Sequence, residues 1–74
     1  ELALRDAARE ICGAEPLGIE LRRTGRGLVA MIGVSVDGSL PLDEAHALAT
    51  KVEDLAMRID PTLDEVVVHT EPSA

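Results

Sequence analysis

The chain contains no phenylalanine, tryptophan or tyrosine in its 74 residues. Its core therefore has to be filled by Leu, Ile, Val, Ala and Met, without large rings to take up space. The missing rings also remove the stacking platforms on which single-stranded nucleic acid is usually held. Basic residues are scarce too: 7 Lys and Arg stand against 14 Asp and Glu, a formal net charge of -7. Phosphate backbones need a basic patch, so no nucleic-acid partner is expected, and an anionic membrane surface is disfavoured. An acidic surface suits cations as ligands, although it commonly serves solubility alone. A single cysteine, Cys12, rules out an internal disulfide and suits a reducing compartment. There is no secretory signal and no apolar run long enough to cross a bilayer. Because the first residue is Glu1, the expectation is a fragment whose membrane portion, if any, lies outside these residues.

What is present is one small domain spanning residues 1–74, of a size that buries little of its surface and gains from oligomerisation. Glu1 to Cys12 has helical spacing, with Leu4, Ala8, Ile11 and Cys12 on one side, Gly13 as its C-cap and Pro16 blocking continuation. From Leu17 the period becomes two: Leu17, Ile19 and Leu21 face one way, Gly18, Glu20 and Arg22 the other. Thr24-Gly25-Arg26-Gly27 forms a hairpin turn. In the next strand Leu28, Ala30, Ile32, Val34 and Val36 line one face; Val29, Met31, Gly33 and Ser35 make an unusually apolar opposite face. Such a face is either covered or used as an interface, and Met31 beside Gly33 favours the latter.

A long helix begins near Pro41, with Asp43 and Glu44 complementing its dipole. Its stripe runs through Leu42, Ala45, Ala49, Val52, Ala56 and Ile59, widened by Leu48 and Leu55. Asp60-Pro61 ends the helix. Val66, Val67 and Val68 open a last strand, which Pro72 is expected to stop. The order α-β-β-α-β predicts an α+β, ferredoxin-like sandwich lacking the first strand, with two helices on one face of a three-stranded sheet and the other face open.

Ser39-Leu-Pro-Leu-Asp-Glu-Ala-His46, then one helix, Asp60-Pro61 and Val66-Val-Val-His-Thr-Glu-Pro72, resembles the cytoplasmic C-terminal domain of cation diffusion facilitators. In that family a helix opening on Leu-x-x-Ala-His precedes a final strand ending in Val-His-x-Glu/Asp-Pro. Gly18-Ile19-Glu20-Leu21-Arg22 resembles the family's first strand. The resemblance implies a metallochaperone-like fold, a homodimer, and Zn²⁺ or another divalent metal near the dimer interface. It implies the transmembrane domain of the same transporter as a partner, and a regulatory role on the cytoplasmic side. His46 matches a helix histidine that binds metal in some members, and His69 and Glu71 match the terminal strand motif. Two positions that are histidine in some zinc-binding members correspond here to Ile19 and Gly33, which puts a multi-metal cluster in doubt.

Without the family, the chemistry is narrower. His69 and Glu71 are two apart in a strand and project from one face, and imidazole plus carboxylate is a sound zinc pair. His46 would supply a third ligand from the same chain or a partner, or else pack as a structural histidine. Glu71 reads equally as a solvated carboxylate, Cys12 as a small buried residue, and Arg22, Arg23 and Arg26 as a solvated turn. No serine, cysteine or threonine sits beside a base in an interpretable pattern, and Gly25-Arg26-Gly27 is a hairpin turn and not a phosphate loop, so no enzyme is expected. The alternatives are a dimerisation-only scaffold without a metal site, and a small-ligand regulatory domain of similar topology.

Overall fold

A computed structural model describes residues 2–73. The order is α1 (Leu2–Cys12), β1 (Gly18–Thr24), β2 (Gly27–Asp37), α2 (Leu42–Ile59) and β3 (Glu65–Ser73). The sheet runs β1-β2-β3, with β1 antiparallel and β3 parallel to β2. The parallel pair requires a crossover, and α2 provides it. This is the expected α+β sandwich with an open outer face.

The core lies between the sheet and the helices. Ala30, Ile32, Val34 and Val36 of β2 are buried there with Leu4 and Ala8 of α1, Ala45, Val52 and Ala56 of α2, and Leu63. Lacking rings, the helices present mostly alanine at their packed faces: Ala7 and Ala8 on α1, and Ala45, Ala49 and Ala56 on α2. Ile32, Val34 and Val52 are the largest side chains buried completely between the layers. Apart from the strand pairings, the main contacts run between α2 and β3 and between α1 and α2; neither helix packs extensively on β1.

Local signals account for the boundaries. Gly13 takes φ 77° and its N–H donates to the Arg9 carbonyl at 2.7 Å, closing α1 with a left-handed cap. Arg9 then ties the following loop to the helix through Glu15 and Asp6, each at 2.8 Å. Pro41, at φ −58° and ψ 149°, precedes α2 as its N-cap residue, and its carbonyl accepts from the Glu44 and Ala45 amides.

Several expectations need correction. Leu17 does not start the alternation of β1. Its N–H donates to the Gly33 carbonyl at 2.7 Å although Gly18 is the residue paired with Gly33, so two residues of the entering chain oppose one of β2. Leu17 is left 59% exposed. The hairpin turn Thr24–Gly27 is as expected, with Thr24 and Gly27 paired and Gly25 and Arg26 at its centre. Leu42 is not part of the buried stripe; the first helical residue, it is 86% exposed. Pro72 does not stop the last strand, which continues to Ser73. β3 is an edge, where a missing N–H is tolerated. The helix expectation at Glu1 falls outside the described residues.

Candidate metal centre

Register decides which side chains share the open face, because directly paired residues point the same way. Gly18, Gly33 and His69 form one row across the sheet. Glu20, Met31 and Val67 form the next, and Arg22, Val29 and Glu65 the one beyond. Ser35 lies opposite Glu71. His69 and Glu71 therefore project together from the open face, and His69 Nε2 lies 3.2 Å from Glu71 Oε2. Both side chains are well exposed. In the row of His69, Gly33 and Gly18 have no side chains, and Leu17 borders that row, its Cβ 3.6 Å from where a Cβ at Gly33 would lie. The histidine–carboxylate pair thus looks out over a shallow, partly apolar floor, with Met31 and Val67 exposed in the adjoining row.

His46 is placed differently. It lies on the solvent side of α2, one residue past the buried Ala45, with its carbonyl accepting from Thr50 Oγ1 at 3.1 Å. α2 belongs to the helix layer, on the opposite side of the sheet from the His69 face. Among the described residues no group of three or more His, Cys, Asp and Glu comes together that could hold a metal. One chain therefore offers two donors of suitable chemistry, and the three or four that zinc takes require further ligands from another chain or water.

The comparison of Ile19 and Gly33 also changes. Ile19 is half-buried and packs against the core, so its side chain points away from His69. The β1 residue in line with His69 is Gly18. The sequence alternation could have shown this, since 18 and 19 face opposite ways, but aligning the row needs the β1–β2 register. Cys12 is half-buried at the end of α1, where burial pushes its thiol pKa up.

Between the last turn of the sheet and the start of α2 lies a groove of about 290 Å³ lined by Val36, Leu40, Leu42, Ala45, Thr70 and Pro72 among others. No helix among the described residues is long and apolar enough to cross a membrane.

These elements define a small α+β domain with an open sheet face on which His69 and Glu71 lie side by side. The sequence profile of the cation efflux protein cytoplasmic domain matches residues 3–73, and the chain belongs to that family. Solved structures agree in fold. A substituted variant of the MamM C-terminal domain, in a cadmium form, superposes with a TM-score of 0.84 at 18% identity, covering 99% of this chain and 92% of that one. A copper form of a different substituted variant of that domain gives the same values. A third MamM C-terminal domain structure gives 0.83 over 97% and 92%, again at 18% identity. No curated protein matches the sequence.

Proposed function

We propose that the chain is the dimerising, metal-responsive cytoplasmic domain of a divalent-cation exporter of the zinc type, acting on the transmembrane domain of the same transporter and not as an enzyme. The observation that carries this reading is the His69–Glu71 pair at 3.2 Å on an otherwise uncovered sheet face. Each chain holds half a site. A second copy brings the remaining ligands, among them its own His46, and a metal shared between copies stabilises the dimer by mass action. Membership of the cation efflux cytoplasmic-domain family supports this reading, as do the cadmium and copper forms of substituted MamM C-terminal domains. Exposed Met31 and Val67 give the same face an apolar contact surface next to the ligands.

The test is calorimetric titration of Zn²⁺ into the chain with His69→Ala beside it. Saturable binding lost in the variant, together with zinc-dependent tightening of the dimer in light scattering, is expected. The rival is a scaffold that only dimerises, favoured by the empty Gly18–Gly33 row. Under that rival neither protein binds zinc, and Met31→Glu yields monomers while His69→Ala changes nothing.

A further inference from the structure

The free edge of the sheet is the feature that the metal site leaves unused. Among the described residues β1 pairs with β2 alone. All of its residues except half-buried Ile19 are exposed. The direction of its backbone groups follows from β2. The Leu28 N–H donates to Asp64 Oδ2 and the Leu28 carbonyl accepts from the Asp64 N–H, both at 2.8 Å, so Leu28 directs its peptide groups toward β3. Direction alternates along a strand, so Val29 and Met31 turn theirs toward β1, to Arg22 and Glu20. Ile19, Leu21 and Arg23 are paired with Ile32, Ala30 and Leu28. They must direct their N–H and C=O groups outward, away from the sheet.

We propose that this edge pairs antiparallel with the same edge of a second copy, centred on Leu21, to make one continuous sheet across two chains. In that register every outward group has a partner: Leu21 exchanges both bonds with the partner's Leu21, and Ile19 with the partner's Arg23 and the reverse. Glu20 then lies opposite the partner's Arg22 in a non-hydrogen-bonded position, where side chains approach most closely. Within one chain Arg22 already donates to Glu20 at 2.8 Å, so pairing extends an existing ion pair into a ladder across the dyad. Exposed Leu21 gains an apolar contact on the other side of the strand. Charge also selects the register. Centring on Glu20 opposes two carboxylates, centring on Arg22 opposes two guanidiniums, and each shift leaves outward groups of one residue unpaired. Charged residues on an edge normally discourage pairing; here they match their own copies. This surface is distinct from the His69 face, so the two contacts together would link chains into larger assemblies.

Sedimentation equilibrium of the chain in low salt with a chelator present tests the edge without any metal. Wild type should self-associate, with Arg22→Glu and Glu20→Arg each weakening association by about tenfold or more and the exchanged double variant restoring it. Leu21→Pro removes an N–H that faces outward, so it should abolish association while thermal melting stays cooperative. A wild type monomeric under these conditions, a double variant no better than either single one, or association indifferent to both Arg22→Glu and Leu21→Pro would each overturn the proposal. His69→Ala should leave this association unchanged, which separates its failure from that of the metal reading.

Discussion

At Gly27 two constraints coincide. Its φ of 117° lies where side chains are rarely accommodated, and a Cβ there would run into the Asp64 carboxylate. That carboxylate accepts the Leu28 amide at 2.8 Å and ties the entry of β3 to β2. Gly27→Ala should therefore destabilise by about 2–4 kcal/mol, from backbone strain plus loss of a charge-assisted hydrogen bond. In thermal melts this is a fall of at least about 8 °C. In an Asp64→Ala background the same substitution should cost markedly less, because the clash is gone. Asp37 makes a pH-dependent contribution. It accepts from the Ser39 N–H and Oγ, both at 2.8 Å, and these bonds, the backbone one first, hold its pKa below the ordinary 3.8. A depressed carboxylate stabilises in full above its unfolded value and loses this as pH falls through the lower native value. Asp37→Asn should shallow the acid limb of a stability–pH curve and lower stability near neutrality by an amount that does not vary with pH there.

The elements are where the sequence was most and least legible. Period-two alternation in residues 30–36 and the alanine-rich stripe of α2 identify their buried faces directly, whereas Val29, between Arg22 and Glu65 on the opposite face, is buried against the pattern. Leu42 fits the same stripe by number yet stays exposed, because periodicity gives a direction and not whether anything lies in that direction. Leu17 misleads for a related reason: the doubled pairing against Gly33 reverses its side, and a bulge leaves no mark in an alternating pattern. The pairing of His69 with Glu71 was legible from spacing within one strand. The Gly18–Gly33–His69 row was not, because it depends on how three strands separated in sequence are registered. Alanine packing makes the layers sensitive to added volume. Ala8, fully buried, changed to Leu should cost about 1–3 kcal/mol through overpacking. Ile32→Ala at the centre of β2 should cost about 2–5 kcal/mol. Denaturant unfolding measures both, with the midpoint moving and the slope unchanged.

For the whole molecule, a net charge of -7 on a chain of this size means self-repulsion in the compact state. Raising monovalent salt should stabilise the isolated chain in melts, while the Glu20–Arg22 contacts between copies weaken; opposite signs in the two measurements would separate folding from assembly. The two halves of the sheet also differ in how they can be assembled. β1 and β2 are joined by Gly25 and Arg26, so their pairing closes a short loop. The Leu28–Asp64 clamp joins residues 36 apart, so registering β3 on β2 closes a much longer loop. Loop-closure entropy thus sets an order of events: hairpin and α2 early, the parallel half late. Substitutions at Val66 or Val68 should speed unfolding and leave the refolding rate nearly unchanged, whereas Ile32→Ala slows refolding, as stopped-flow chevrons would show. The strand carrying His69 and Glu71 is then the last piece to join the sheet and the first to leave it. A metal that grips this strand would act mainly by lengthening the lifetime of the folded state.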